Sequence, residues 1–150
     1  MKKIDIAKVK HDAEEMYRKG QYYCSEAVVA AVRNNIAPEM PVELIAAASG
    51  FPVGVGRSKC LCGAVSGAVI CLGYFFGRTV PSYPQEAKVR KTLELTAELQ
   101  ESFRANHGGK LCCHEHTDGK DIPEKIKICL SFTGEMAAKV AEIVDREFRG

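Results

Sequence analysis

The 150-residue chain has no tryptophan, and aromatic residues make up only 7% of it. A core of large rings is therefore excluded, and small aliphatic residues must fill the interior. No charge of one sign dominates: 21 lysines and arginines face 19 acidic residues, a formal net charge of +2. The basic residues are spread along the chain and form no stripe, so composition gives no footprint for nucleic acid. No run is apolar for long enough to span a bilayer. The longest candidate, Cys62 to Gly77, has 16 residues between Lys59 and Arg78, against about 20 for a spanning helix. The first twenty residues carry charges throughout and lack the apolar region of a secretory signal. Together these absences read as a cytoplasmic protein without membrane insertion. No alternation of apolar and polar residues persists over five or more positions, which argues against sheets.

Several thiol motifs are missing as well. There is no C-x-x-C, which removes the thioredoxin-type pair and the usual zinc knuckle. There is no C-x-x-C-H for covalent haem, and "HEH" lacks the H-E-x-x-H spacing of a zincin. Gly54-Val55-Gly56 has neither the preceding strand nor the third glycine of a dinucleotide loop.

What is present is cysteine, seven in all. The number is odd, so disulfides within one chain cannot use every thiol, and a reducing compartment would keep ordinary thiols reduced. The stretch "KCLCGAVSGAVICLG", residues 59–73, holds three of them among three glycines. Gly63 and Gly67 are four apart, as are Ala64 and Ala68, a spacing that lets a second helix approach closely.

Helical periodicity runs through the rest. Helices are expected over residues 4–19, 23–35, a short segment from Pro41 to Gly50, 60–76, a long amphipathic segment opened by a capping box at Ser82 and ending near Asn106, and a last helix capped by Asp121 and running to about Phe148. Ile126, Cys129, Leu130, Thr133, Ala137 and Val140 mark the inner face of that last helix. The expected fold is all-α: one domain, 1–150, a bundle of five or six helices around a buried central helix rich in glycine, alanine and cysteine. The apolar content and Phe75-Phe76 beside Arg78 suggest a homodimer.

The cysteines differ in setting. Cys62 and Cys71 are nine residues apart and point to opposite sides of a helix. Cys71, among Val69, Ile70 and Leu72, reads as core. Cys62 lies near a helix start after Arg57 and Lys59, where the helix dipole and cations lower a thiol pKa. Cys24 and Cys129, each taken alone, read as buried and inert. Cys112 and Cys113 lie in a polar loop followed by His114 and His116, and "CCHEH" offers four soft or borderline ligands in five residues.

Taken together, "YYCSEAV", "SGFPVGVGRSKCLCGAVSGAV", "GKLCCHEH" and "ICLSF" resemble the C-GCAxxG-C-C family of redox-active proteins, over about residues 20–145. The family's four cysteines fall on Cys24, Cys62, Cys113 (or Cys112, with Cys113 favoured by the "CHE" that follows) and Cys129. Gly63, Ala64 and Gly67 complete the box; the name spells Gly-Cys-Ala where this chain reads Cys62-Gly63-Ala64. The resemblance implies one cluster of these four cysteines from separate segments. It makes them the candidate site of a thiol redox or electron-transfer protein, with Cys62 as the activated thiolate, a second cysteine resolving it and a redox partner still to be identified. The alternative use of Cys24, Cys62, Cys113 and Cys129 is as metal ligands for zinc or an iron–sulfur cluster, with Cys112, His114 and His116 as further candidates. A third reading is a helical accessory protein whose cysteines only pack.

Overall fold

The computed structural model describes residues 1–150 and contains seven helices and no strand: α1 (Ile6–Arg18), α2 (Cys24–Asn35), α3 (Glu43–Ala47), α4 (Gly63–Phe76), α5 (Ala87–Asn106), α6 (Cys113–Thr117) and α7 (Ile122–Arg149). Six correspond to the helices expected from periodicity. The seventh, α6, is a single turn inside the segment read as a polar loop. It forms because Glu115 turns back and accepts the Cys112 N–H at 3.1 Å, closing the first turn.

Two helix starts differ from expectation. α4 begins at Gly63 instead of Cys60, because residues 60–62 are drawn into a short antiparallel pairing with 111–113: the Cys62 N–H donates to the Leu111 carbonyl at 3.0 Å, and Leu61 faces Cys112. The Ser82 capping box does not form. Arg78 reaches the Ser82 carbonyl at 2.7 Å and its hydroxyl at 3.3 Å, so the serine is engaged there and α5 starts after Glu86. Asp121 does cap α7, its carboxylate accepting the Glu124 N–H at 2.9 Å.

The centre is shared between α4 and α2. Gly63 to Ala68, Cys71 and Leu72 of α4 are buried, and so are Cys24, Ser25 and the whole run Ala27–Val32 of α2. An apolar stretch buried on all sides needs partners all round. α2 packs on α1, α3, α4 and α7, while α4 packs on α2, α5 and α7. α5 presents Leu95, Leu99 and Phe103 along one face. α7 runs through Gly134, where Glu14 of α1 occupies the space a side chain would take. The inner face of α7 is buried at Thr133, Ala137 and Val140, but Ile126 is half exposed because it projects at the open end of the bundle. No helix is long and apolar enough to cross a membrane.

The glycine pair governs the α2–α4 contact. A Cβ at Gly67 would lie 2.5 Å from the Ser25 carbonyl oxygen and 2.9 Å from its Cα; at Gly63 it would lie 2.5 Å from the Cys24 sulfur. Such distances are inside van der Waals contact, so only glycine permits this approach.

Candidate functional site

At the open end of the bundle, a cavity of about 180 Å³ lies between the N-terminal ends of α2 and α4, the short α6 and the first turns of α7. Cys24, Cys62, Cys113 and Cys129 all line it. Each arrives by a different local device. Cys24 opens α2, whose entry is fixed by the Tyr23 N–H donating to Glu26 at 3.1 Å. Cys62 is the N-cap of α4, held by its backbone bond to Leu111. Cys113 opens α6, with its sulfur 3.7 Å from the Thr117 hydroxyl. Cys129 sits two turns into α7.

Cys112 faces away from the cavity, as the alternation of a paired segment requires. Of the histidines, His116 lines the cavity and His114 does not. The His116 ring packs against Phe132 at 4.8 Å, and its Nε2 lies 3.2 Å from the Lys110 carbonyl. Burial holds its pKa below the ordinary histidine value, which favours the neutral ring. Cys71 is fully buried on the opposite side of α4 and does not touch the cavity.

The thiols separate by environment. Cys24 and Cys62 are buried, whereas Cys113 and Cys129 are half-buried. Burial pushes Cys62 up to about 12; the Val65 and Ala64 N–H groups of the first turn of α4 oppose this, and the nearby Cys129 and Cys113 charges add to it. The expected activation of Cys62 is therefore overturned: the helix terminus acts in the expected direction but desolvation outweighs it. Burial likewise raises Cys24 to about 12, reinforced by Cys62 and Cys129 and opposed by the Ser25 and Val53 N–H groups. Cys129 is raised by burial too, with the nearby Cys113 charge adding to it, while the Tyr17 hydroxyl and the Lys125 cation offset part of the rise. Deprotonating one of these thiols makes deprotonating the next harder, because the charges face a shared apolar space.

No three of the four sulfurs lie within 4.8 Å of one another. Thiolates on a single zinc ion, bonded at about 2.3 Å, stand about 3.8 Å apart. As folded, then, the four sulfurs are not gathered into a ready-made zinc tetrahedron.

Lys59, named beside Cys62 in the sequence, lines the cavity, and residues that sequence reasoning missed complete the walls: Tyr17, Tyr23, Val53, Gly54 and Lys125. Lys125 carried a signal, standing one helical turn before Cys129. Tyr17 carried none. The loop from Val53 to Lys59 is unusual. Val53, Gly54, Val55, Gly56 and Arg57 all have positive φ, between 55° and 66°. Two of these are valines, for which that region is strained. Gly54 is required, because a Cβ there would collide with the Lys59 and Cys60 backbone. The loop is pinned by the Lys59 N–H donating to the Val53 carbonyl at 3.0 Å and by the Lys59–Asp118 ion pair at 3.0 Å. At the mouth, Tyr23, Ile122 and Ile126 are exposed.

A family model described as "Putative redox-active protein (C_GCAxxG_C_C)" matches residues 22–143. No curated protein and no solved structure matches the chain.

Proposed function

The chain belongs to the C_GCAxxG_C_C family, and on that footing we propose that Cys24, Cys62, Cys113 and Cys129 form one thiol redox site. The observation that carries the reading is their convergence: four cysteines from four separate segments line one cavity, while the remaining three do not. In this reading Cys129 replaces Cys62 as the attacking thiol. It is half-buried, so a partner can reach it, and although burial raises its pKa, Tyr17 and Lys125 offset part of that rise. The partner supplies a disulfide. The Cys129 thiolate attacks one of its sulfurs, and the other leaves as a thiolate and takes up a proton. Cys113 then loses its proton and attacks the mixed disulfide at the Cys129 sulfur, which frees the partner's first sulfur. The protein ends with one disulfide, the partner with two thiols, and two electrons have passed. The exposed Tyr23, Ile122 and Ile126 give the partner an apolar landing at the mouth.

A second reading is favoured by the spacing of the sulfurs. They are not preset at zinc distances, whereas in a 4Fe–4S cluster each thiolate binds a different iron and the ligands stand further apart. The four cysteines would be its ligands, and the cation charge would offset burial of their thiolates.

One preparation separates the two. Protein purified without oxygen is examined for visible absorption and iron, then treated with a small disulfide oxidant and its thiols mapped by mass spectrometry. The thiol reading expects a colourless protein that loses two thiols from the cavity set and regains them with reductant, while Cys71 stays reduced. Iron with visible absorption would shift the assignment to the cluster. Cavity thiols that neither oxidise nor hold iron would defeat both.

A further inference from the structure

Two cysteines stand outside the cavity and outside the core. Cys60 is exposed and Cys112 half-buried. A free thiol at a surface is a chemical liability, which makes its neighbours informative. Around Cys112 they form a pattern. The Cys112 sulfur, a His114 ring nitrogen and a Glu115 carboxylate oxygen all lie within 4.8 Å of one another, the one such trio of donors in the molecule. These are the three donor types that zinc-class ions take.

We propose that Cys112, His114 and Glu115 form an outer binding site for a divalent transition-metal ion of the zinc class, separate from the four-cysteine cavity. The local fold sets up the trio before any ion arrives. Glu115 Oε1 accepts the Cys112 N–H at 3.1 Å and the Leu111 N–H at 3.4 Å, which fixes the carboxylate and leaves its other oxygen free. The His114 N–H donates to the Lys59 carbonyl at 3.1 Å, and Leu61 faces Cys112, so the whole turn is clamped against residues 59–61. Cys60, on that facing segment, is not within the ligand distance of the trio. The site therefore offers three protein ligands and an open fourth position, the arrangement of an exchangeable ion. His116 is excluded, because its ring is turned inward against Phe132. The peptide bond between Cys112 and Cys113 places this site directly outside the cavity wall.

The test is residue-specific protection. Reduced, chelator-stripped full-length protein is alkylated with iodoacetamide in the presence and absence of Zn²⁺, and each cysteine is quantified by mass spectrometry. Zn²⁺ should slow labelling of Cys112 by more than about ten-fold, since coordination removes the nucleophilic lone pair. A chelator should reverse the effect. His114→Ala and Glu115→Gln should each abolish or weaken the protection. Glu115→Gln keeps a side-chain oxygen to cap the Cys112 N–H, so its loss of protection reports the missing charge and not a melted turn. Both residues are exposed, so neither change threatens the core. Equal labelling of Cys112 with and without Zn²⁺ would overturn the proposal. So would protection that survives in both variants, or protection of Cys113 without Cys112, which would put the ion in the cavity. Cys62→Ser, which damages the inner site, should leave protection of Cys112 in place, so the two sites fail independently.

Discussion

Replacing Gly67 with alanine tests the geometry on which the cavity depends. The new Cβ would meet the Ser25 carbonyl oxygen at 2.5 Å, its Cα at 2.9 Å and its carbonyl carbon at 3.1 Å. All three are backbone atoms, so no side chain can rotate away. Ordinary contact requires α4 to retreat from α2 by roughly 1 Å, and forced repacking of a core of this kind costs about 1–3 kcal/mol. Alanine's helix propensity returns about 1 kcal/mol. The net expectation is a loss of about 0–2 kcal/mol, which for a chain of this size lowers Tm by up to about 8 °C. Gly73 is the control. It lies on the same helix, is exposed, and a Cβ there meets nothing within 4 Å. Gly73→Ala should stabilise by about 0.5–1 kcal/mol. Thermal and urea unfolding of the reduced proteins, side by side, gives both values. Because Gly67 sets the distance between the helices that carry Cys24 and Cys62, Gly67→Ala should also alter cavity thiol chemistry below its unfolding transition. A Gly67→Ala protein at least as stable as Gly73→Ala would refute the close-approach argument.

Cys71→Ser puts a hydroxyl in a fully buried apolar setting and should cost about 1–3 kcal/mol, less if the serine bonds back to the Gly67 carbonyl; cavity oxidation should be unchanged, and equal loss of site chemistry in Cys71→Ser and Cys62→Ser would refute the two-faced helix. Stability of the reduced protein should fall as pH rises from about 9 towards 12, because Cys24 and Cys62 stay protonated in the fold while the unfolded thiols have already ionised near 8.5; the slope is at most about 1.4 kcal/mol per pH unit for each thiol, and a flat urea-midpoint profile across that window would contradict it. Val55→Gly should stabilise by about 1 kcal/mol, since Val55 holds φ at 66° and its side chain is 44% exposed, so strain is relieved at little cost in burial; a lower Tm would show that the turn is not strained.

Six of the seven helices were legible because each buries a stripe or a whole run of small aliphatic residues, and that pattern is local. The glycine box was legible for the same reason: Gly63 and Gly67 are one turn apart on one helix. The pairing of residues 60–62 with 111–113 joins segments about fifty residues apart and has no periodic signature, so the true start of α4 and the α6 turn could not be read. Ser82 misled because its capping pattern is local while Arg78 competes for the same atoms. The thiol pKa values failed differently. Helix dipole and flanking cations can be read from sequence, but burial of Cys62 depends on α2, α6 and α7 closing over it. The left-handed run 53–57 was also invisible, because valine at positive φ runs against its own preference.

That run explains how a cavity persists among small side chains, which ordinarily collapse on one another. Val53 and Gly54 form one wall. A relaxed loop could fold inward and fill the space, losing surface in the process. This one cannot, because its backbone is fixed by the bonds from Val55 to Phe51, Lys59 to Val53 and Cys60 to Gly54, at 2.9 to 3.0 Å. Strained backbone survives only where its surroundings over-determine it, and such segments concentrate at working sites. Here the strained Val53 lines the same cavity as Cys24 and Cys62, with its N–H towards the Cys24 sulfur. The glycine box sets the α2–α4 approach that carries Cys24 and Cys62, and the strained turn supplies cavity wall beside them. Both features cost stability that a merely packed bundle would have no reason to give up, which weighs against cysteines that serve only as core.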